Sequence, residues 1–154
     1  MEKTNVMRIL DQKKIKYNAY EYPHDGEALE GTIIAELLGQ NPSCVFKTLV
    51  AKGKNVYVFM VPVNKSLDLK KASKAVSEKK LEMLHVKDLL ETTGYMRGSV
   101  SPIGMKKSFI TVCDKSALDF KTIICSAGKL GYQVELSPLD LSKLCRLSFE
   151  EIIE

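Results

Sequence analysis

Apolar residues recur along the chain at two spacings, every three to four residues in some segments and every second residue in others. The first spacing is typical of amphipathic helices and the second of strands. The predicted helices are "TNVMRILDQKK" with Thr4 as N-cap, "GTIIAELLG" from Thr32 to Gly39, "LDLKKASKAV" opened by Asp68, "VKDLLETTG", and "SPLDLSKLC" with Ser137 as N-cap. The predicted strands are "IKYNAYEY", "VFKTLVA", "VYVFMVPV", "KLEML", "SFITVCD", "TIICSAG" and "YQVELS".

Strands outnumber helices in this pattern and are joined largely by short turns. No linker or internal repeat divides the 154 residues, a length suited to one compact domain with its own core. We therefore predict an α+β fold over residues 1–154, with a curled, mixed and mostly antiparallel sheet flanked by helices.

The predicted strand "VFKTLVA", which begins at Val45, contains a residue that its pattern does not explain. Alternation places Lys47 on one face with Val45 and Leu49, and places Thr48 on the other face between phenylalanine and valine. Neither face is polar, so the Lys47 ammonium has no obvious solvent side. One interpretation is a lysine that reaches the sheet edge and pairs with a carboxylate. The other is a functional cation.

Composition limits the classes of protein to which the chain can belong. Hydrophobic residues make up 45%, no apolar run is long enough to cross a bilayer, and the charged N-terminus lacks the apolar centre of a signal peptide. We therefore expect a cytoplasmic protein without membrane contact. The four cysteines contain no C-x-x-C pair and are interpreted as reduced core residues, and the two histidines lie too far apart for a metal cluster. No metal and no cofactor are expected.

The formal net charge of +4 is modest, but lysines are concentrated in the run "NKSLDLKKASKAVSEKK". Such a run is either a solvated helix face or a phosphate-binding surface, where lysines add affinity without reading sequence. Both interpretations are open on the pattern alone. The candidate phosphate-binding residues are Lys70, Lys71 and Lys74 in this run, and Lys106 and Lys107 later in the chain.

A second unusual segment is "TGYMRGSVSPIGMKK", which combines three glycines with serines and a proline. Glycines let backbone N–H groups converge on an anion or a carbonyl, and the hydroxyls of Ser99 and Ser101 add donors. The spacing matches neither the phosphate-binding G-x-x-x-x-G-K-[ST] loop nor the dinucleotide-binding G-x-G-x-x-G loop. A plain turn is the alternative.

Four segments occur together in the order of a known family: "VFKTLV", "VPVNKSLDLKKASKA", "TGYMRGSVSPIGMKK" and "CSAGKLGYQVEL". In this combination the chain resembles the YbaK family from about Thr4 to Phe149. Members of that family are aminoacyl-tRNA deacylases related to the editing domain of bacterial prolyl-tRNA synthetase. The resemblance implies the fold of that editing domain and the removal of a wrong amino acid, above all cysteine from tRNA(Pro).

The resemblance also implies roles by position. The essential lysine of the family's "[FY]KT" motif falls on Lys47 and the adjacent threonine on Thr48, and the functional glycine of its glycine-rich loop falls on Gly98. Its serine before the "GGK" turn falls on Ser126, and its early tyrosine falls on Tyr22. The implied catalytic residues are thus Lys47 and Gly98, and the implied substrate-binding residues are Tyr22, Glu30, Thr48, Ser99, Ser101, Ser126 and Gln133.

The chain departs from the cysteine-specific branch of the family at several of these positions. Glu30 stands where that branch has a pocket phenylalanine, and Gln133 stands where it has an aspartate. Ser99 replaces the second glycine of a "GG" pair, and Ala127 replaces the first glycine of the "GGK" turn. These differences concern the identity of the amino acid and leave the two implied catalytic residues in place.

The chemistry that follows from the resemblance needs few protein groups, because an aminoacyl ester is already activated. We expect Lys47 to act as a charged positioning group and Gly98 to bring backbone N–H groups close to the aminoacyl end. The thiol of a cysteinyl substrate can attack its own carbonyl and leave as a thiolactone, which fits the absence of a Ser-His-Asp or Cys-His motif. Cys44, which alternation places on the face of Phe46, is interpreted as a core residue.

Mischarged tRNA is therefore the expected partner, bound at its acceptor end, and prolyl-tRNA synthetase is a candidate partner for tRNA specificity. No DNA binding is expected. Two alternatives stay open. One is a hydrolase that removes alanine or serine with water, and the other is a non-catalytic tRNA-binding adaptor.

Overall fold

The computed structural model describes the whole chain, residues 1–154. The helices are Asn5–Gln12 (α1), Gly31–Leu37 (α2), Leu69–Ala75 (α3), Val86–Thr93 (α4) and Pro138–Leu141 (α5). The strands are Asn18–Glu21 (β1), Phe46–Lys52 (β2), Val56–Pro62 (β3), Glu82–Met83 (β4), Ile110–Asp114 (β5), Ile123–Ser126 (β6), Tyr132–Leu136 (β7) and Arg146–Glu150 (β8). Every segment predicted from the pattern contains an element of the predicted kind, and β8 is additional. None of the helices has the length and apolar character that a membrane crossing requires.

Polar side chains fix the starts of helices where the sequence pattern placed them. Thr4 Oγ1 accepts the Met7 N–H at 3.3 Å ahead of α1. Asp68 Oδ1 accepts the N–H groups of Lys70 and Lys71 at 2.9 and 3.1 Å ahead of α3. These bonds satisfy donors that the first turn of a helix leaves free. The predicted N-caps Thr4 and Asp68 are therefore confirmed.

The strands form two sheets. In the five-stranded sheet the order is β4–β2–β3–β5–β8. The strand β2 is antiparallel to both of its neighbours, β4 and β3, whereas β3, β5 and β8 run parallel to one another. In the three-stranded sheet the order is β1–β7–β6, and both pairs are antiparallel. The predicted α+β class with a mixed, mostly antiparallel sheet is confirmed.

One isolated bridge, between Val45 and Ile124, joins the two sheets into a curled surface. Beyond this bridge β2 and β6 lie close together without forming a ladder. Val45 also extends the pairing with β3, because its carbonyl oxygen accepts the N–H of Val63, the residue after β3, at 2.8 Å. The line along which β2 and β6 lie side by side is called the seam below.

Apolar residues pack on both faces of the five-stranded sheet. Phe46 points to the inner face, where the largest cluster joins both sheets to α1. Ala51 and Phe59 point to the outer face, which α3 covers through Ala72. A third cluster places α2 against the seam and consists of Ala35, Val45, Val63 and Ile124.

Candidate active site at the seam

Lys47 lies in β2 opposite Val61 of β3, on the outer face of the five-stranded sheet. Its side chain is partly buried, and its strand neighbours Leu49 and Ala51 pack in the cluster beneath α3. The Lys47 ammonium makes no ion pair and no hydrogen bond within the chain. The lysines that do are Lys3, Lys71, Lys106, Lys129 and Lys143. The carboxylate partner expected of a structural lysine is thus absent.

Strand register brings further candidates to the level of Lys47. Counted from the bridge that joins the sheets, Lys47 and Ser126 are each two residues farther along their parallel strands. Ser126 pairs with Gln133 in β7, and Gln133 pairs with Tyr20 in β1. Paired residues share a face, so Ser126, Gln133 and Tyr20 form a row across the three-stranded sheet that begins at the seam. Gln133 is buried in this row, with 4% of its surface exposed.

Two hydrogen bonds of Ser126 fix the glycine-rich loop to the end of β6. Its hydroxyl donates to the Ser99 carbonyl oxygen at 3.1 Å and accepts the Gly128 N–H at 3.1 Å. The Ser99 hydroxyl is used within the loop, where it donates to the Met96 carbonyl oxygen at 2.9 Å. Ser126 therefore holds the loop against the seam, and neither serine presents a free hydroxyl.

Gly98 has a φ of +92°, a backbone conformation that residues with side chains rarely adopt. A Cβ atom at this position would lie 2.9 Å from the Ala28 Cβ and 3.3 Å from the Leu130 Cδ1. The atoms that exclude a side chain here belong to the protein itself, whereas the resemblance led us to expect the substrate. The glycine lets the loop pack against the segment that leads to α2.

Two other implied substrate-binding residues are placed differently from the expectation. Ser101 is fully buried, and its hydroxyl accepts the Ile103 N–H at 3.2 Å, so it shapes the loop from inside. Glu30 is exposed at the N-cap position of α2 and makes no capping bond. The next residue, Gly31, packs directly on the residue that follows β3, since a Cβ there would overlap the Val63 Cγ1.

Three buried side-chain hydroxyls lack a hydrogen-bond partner, and two of them belong to Tyr22 and Thr48. The third belongs to Ser116. Tyr22 is only 3% exposed, so bulk water does not satisfy its hydroxyl. Leaving a buried polar group without a partner costs about 1–3 kcal/mol, and native structures contain few such groups. The Tyr22 hydroxyl is therefore a candidate for contact with a ligand, whereas the position of Thr48 differs, as described next.

Thr48 does not share the face of Lys47. It lies opposite Met60 on the inner face, as strand alternation requires. Because the Val45 carbonyl bonds to β3, alternation in the antiparallel ladder directs the peptide N–H and C=O of Thr48 to the other edge of β2, toward the seam. Thr48 can thus reach a ligand in the seam through its backbone.

A polar network that the sequence reasoning missed adjoins the row on the three-stranded sheet. Glu135 accepts hydrogen bonds from the hydroxyls of Tyr20 and Thr122 and from the Asn18 amide. Burial acts to raise the pKa of Glu135, but the three hydrogen bonds lower it on balance. The bond to Glu135, assisted by burial, raises the pKa of Tyr20 to about 12. The two-residue spacing of Tyr20 and Tyr22 was the signal that could have placed both on one face.

The four cysteines are free, as predicted, and their thiols are held in the protonated form. Burial raises the pKa of Cys113, of Cys125 to about 12, and of Cys145 to about 11. Cys44 differs from its prediction, because it lies in a short 3-10 turn ahead of β2 and packs against the cluster at the seam, not on the inner face. Burial and the charge of Glu135 raise the pKa of its thiol as well. None of the four is an activated thiolate.

The two histidines are not paired with a nucleophile. His24 is exposed, and its Nδ1 accepts the Gly26 N–H at 3.1 Å. His85 is exposed at the N-cap position of α4 and makes no capping bond. No group of three or more His, Cys, Asp or Glu side chains is arranged to hold a metal ion. The site therefore contains no Ser-His or Cys-His pair.

The three candidate lysines of α3 divide into two kinds. Lys70 and Lys74 are exposed, and their ammonium groups have no partner in the chain. Lys71 is partly buried and donates to the Ile153 carbonyl oxygen at 2.8 Å, with Glu151 at 3.9 Å. Lys71 thus ties α3 to the C-terminal segment, which corrects its expected place on an exposed helix face.

Lys106 and Lys107 also differ from each other. The Lys106 ammonium donates to the Glu91 carbonyl oxygen at 3.1 Å, near the end of α4, where helix carbonyls lack partners. Lys107 is exposed and lines a cavity between the end of the glycine-rich loop and Leu144. Of this pair, only Lys107 has an ammonium group without a hydrogen-bond partner in the chain.

Comparison with known proteins finds similar sequences among editing proteins. Residues 32–144 match the family model of the aminoacyl-tRNA editing domain. An Enterococcus faecalis protein named "Putative Cys-tRNA(Pro)/Cys-tRNA(Cys) deacylase EbsC" is 46% identical over 153 residues, which cover 98% of this chain and 93% of that protein.

Two further similarities link the fold to prolyl-tRNA synthetase. The proline–tRNA ligase of Thermosipho melanesiensis is 29% identical over 100 residues, which make up 64% of this chain and 18% of the ligase. A crystal structure described as "a putative trans-editing enzyme for prolyl tRNA synthetase" has a TM-score of 0.82 at 22% identity, covering 97% of this chain and 96% of that one. At this identity the structural likeness concerns the fold.

Proposed function

The chain belongs to the aminoacyl-tRNA editing domain family, and on that basis we propose that it is a trans-editing deacylase that removes cysteine from mischarged tRNA(Pro). The relative that is 46% identical over nearly the whole of both chains carries the name of such a deacylase. The observation in this chain that carries the proposal is the unpartnered ammonium of Lys47 at the seam. The unsatisfied hydroxyl of Tyr22 supports it.

The proposed site stabilises charge and positions the substrate. Hydrolysis or cyclisation of an acyl ester places negative charge on the carbonyl oxygen, and Lys47 supplies the positive charge that stabilises it. The backbone N–H of Thr48 faces the aminoacyl group, and the glycine-rich loop, which Ser126 holds against the seam, borders it. The phenol of Tyr22 finds in the ligand the hydrogen-bond partner that it lacks in the free protein.

The substrate itself provides the nucleophile in this proposal. Neither histidine is bonded to a hydroxyl or thiol, and every cysteine thiol has a raised pKa. The thiol of the cysteinyl group attacks its own carbonyl carbon, so that a C–S bond forms and the ester C–O bond breaks. The thiol proton passes to the departing ribose oxygen. The products are a thiolactone and uncharged tRNA, and no oxidant or water is consumed.

A second candidate is the hydrolysis of alanyl or seryl esters by water around the same Lys47. Two positions favour it. Glu30 is exposed where the cysteine-specific branch has a pocket phenylalanine, and Gln133 is buried in β7 where that branch has an aspartate. Both differences alter the group that would contact the amino acid.

Prolyl-tRNA synthetase is the partner that fits this activity. A proline–tRNA ligase contains a segment similar to this chain, so the two proteins would act on the same mischarged product. In this role the protein works in the cytoplasm, where tRNA is charged and used.

A panel of mischarged tRNAs tests the function. The protein is incubated with Cys-tRNA(Pro), Ala-tRNA(Pro), Ser-tRNA(Pro) and Cys-tRNA(Pro) whose thiol has been alkylated, and the loss of aminoacyl-tRNA is followed. We expect rapid loss of the cysteinyl ester and rates lower by orders of magnitude for the seryl and alkylated esters. Equal rates for the cysteinyl and seryl esters would identify the water mechanism. Binding of tRNA without deacylation of any ester would identify the adaptor.

A further inference from the structure

We propose that a basic groove along α3 binds the phosphate backbone of the tRNA acceptor stem, an inference that rests on the proposed function and deepens it. The groove lies between α3 and the segment 76–81, which leads from that helix to β4. It is lined by Leu69, Lys70, Ser73, Lys74, Glu78, Lys79, Lys80 and Leu81. This set is called the α3 groove below.

The ammonium groups of the four lysines in the α3 groove have no partner within the chain. All four lysines are exposed, and none uses its ammonium in an ion pair or hydrogen bond within the chain. Lys70 and Lys74 are one helical turn apart, so they project from the same side of α3. Lys71 projects from another side and is bound to the Ile153 carbonyl oxygen. On this helix Lys71 therefore stabilises the fold, whereas Lys70 and Lys74 line the groove.

The one acidic residue of the α3 groove forms no ion pair with these lysines, because its carboxylate is hydrogen-bonded elsewhere, and its single charge leaves the groove net positive. Glu78 accepts the N–H groups of Lys54 and Asn55 at 3.0 and 3.3 Å and the Tyr57 hydroxyl at 2.8 Å. These partners belong to the β2–β3 turn and to β3. Glu78 therefore anchors the wall of the groove and leaves its lysines available to an anionic ligand.

The α3 groove lies on the same face of the five-stranded sheet as Lys47. Leu81 at the edge of the groove packs in one cluster with Ala72 and with Ala51 of β2. From Ala51, Lys47 is four residues along the strand, a distance of about 13 Å. The groove and the proposed active-site lysine therefore lie on one side of the sheet, within reach of a single acceptor stem.

The chemistry of the lining favours phosphates over the side chains of a protein partner. Only two of the lining residues are apolar, and four are lysines. Protein interfaces have apolar cores in which lysine is depleted, whereas phosphate contacts come from lysines and hydroxyls without sequence reading. Ser73 is no added donor, because its hydroxyl is bound to the Leu69 carbonyl oxygen at 2.7 Å. The groove should thus add affinity and leave tRNA identity to other contacts.

A salt titration tests the groove independently of catalysis. Binding of an uncharged tRNA(Pro) transcript is measured by fluorescence anisotropy over a series of KCl concentrations, for the wild type and for the double variant Lys70→Ala/Lys74→Ala. Each lost phosphate contact reduces the slope of log K against log[KCl] by about 0.7–0.9, so we expect the loss of two contacts to reduce it by roughly 1.4–1.8. Affinity at low salt should fall by roughly 10- to 100-fold.

The matched control is Lys13→Ala/Lys16→Ala, which removes the same charge from exposed lysines just after α1, the helix that packs on the inner face. The control should retain the wild-type slope. An unchanged slope in the groove variant, or an equal loss in the control, overturns the proposal. So does equally tight binding of polyglutamate, which would indicate a groove for acidic peptides. Loss of binding in the groove variant, with no deacylation by the wild type, supports the groove and rejects the proposed function.

Discussion

Lys47 and Lys71 are two partly buried lysines on the outer side of the same sheet, and their surroundings differ. Lys71 has the Ile153 carbonyl oxygen at 2.8 Å and the Glu151 carboxylate at 3.9 Å. Lys47 has no partner in the chain. Partial removal of an ammonium from water is unfavourable unless a partner compensates it. The C-terminal segment provides this compensation at Lys71, which is therefore structural, whereas no group of the chain provides it at Lys47, the residue that we propose contacts the substrate.

Two tyrosines repeat this contrast in and just after β1. The Tyr20 hydroxyl donates to the Glu135 carboxylate, and the Tyr22 hydroxyl is buried without a partner. Chemically equal groups, two residues apart, thus serve different purposes. The contrast teaches that the unsatisfied member of such a pair is the better candidate for substrate contact.

The largest effect should follow from Lys47→Ala. Removing one stabiliser of a developing oxyanion lowers the rate by roughly 10²–10³-fold, so we expect a loss of that size in single-turnover deacylation. The melting temperature should stay constant or rise, because no intramolecular partner is lost. Both quantities can be measured on one preparation, by a deacylation time course and by thermal unfolding.

Lys47→Arg serves as the control that keeps the charge. Its planar guanidinium differs in shape from an ammonium, so we expect only partial recovery of the rate. A Lys47→Ala variant that unfolds would show that Lys47 is structural, as Lys71 is. One that deacylates at the wild-type rate would show that Lys47 is not needed for the reaction.

Gly98→Ala should have the next largest effect, and it separates packing from substrate contact. The substitution combines a positive φ with a contact of 2.9 Å to the Ala28 Cβ. We expect a loss of roughly 2–3 kcal/mol in the free energy of unfolding, since the backbone conformation alone costs about 1–2 kcal/mol. Activity should fall too, because the loop is displaced from the seam.

The matched control for Gly98 is Gly26→Ala. Gly26 has a similar φ of +99°, but a Cβ there meets nothing within 4 Å. The difference in unfolding free energy between the two variants isolates the contact with Ala28. Equal stabilities of the two variants, together with a loss of activity only in Gly98→Ala, would indicate that Gly98 contacts the substrate directly.

Opposite stability changes are expected for Tyr22→Phe and Tyr20→Phe. The first removes an unsatisfied hydroxyl and should leave the unfolding free energy equal or higher by up to about 1 kcal/mol. The second leaves Glu135 with one donor fewer and should lower that free energy by about 1 kcal/mol. Chemical denaturation measures both, and deacylation should fall more in Tyr22→Phe. Destabilisation by Tyr22→Phe would show that its hydroxyl has an internal partner.

The smallest effect should follow from Lys71→Ala. Loss of the bond to Ile153 and of the exposed pair with Glu151 should lower the unfolding free energy by about 1 kcal/mol, or the melting temperature by about 2–4 °C. Its salt slope for tRNA binding can be compared with that of Lys74→Ala, the next turn of the same helix. A slope reduced as strongly in Lys71→Ala as in Lys74→Ala would show that Lys71 leaves its carbonyl to bind phosphate.

The elements of the fold were predictable because their signals are local. Thr4 and Asp68 mark helix starts by their own hydrogen bonds, and the alternation around Lys47 correctly indicates which neighbours share its face. The strand β8 was missed because it follows directly on the predicted helix "SPLDLSKLC" and pairs in parallel with β5, far away in sequence. Period-two alternation in a short edge strand is a weak signal by itself.

The site was predictable in its residue types but not in its contacts. The partner of Lys71 lies 82 residues away, so the sequence could not distinguish Lys71 from Lys70 and Lys74. A glycine at position 98 was recognisable, yet the atom that requires it belongs to Ala28, in another segment of the chain. Contacts of this kind depend on tertiary packing and leave no periodic trace.

Local opening at the seam should need little free energy. Between β2 and β6 the pairing is limited to the bridge of Val45 and Ile124, whereas β2 and β3 are paired over seven residues each. Amide protons at the bridge should therefore exchange with solvent much faster than those in the β2–β3 ladder. On the proposed function, small fluctuations of a few residues would admit the aminoacyl end and release the product, while the apolar core shared by the two sheets stays closed.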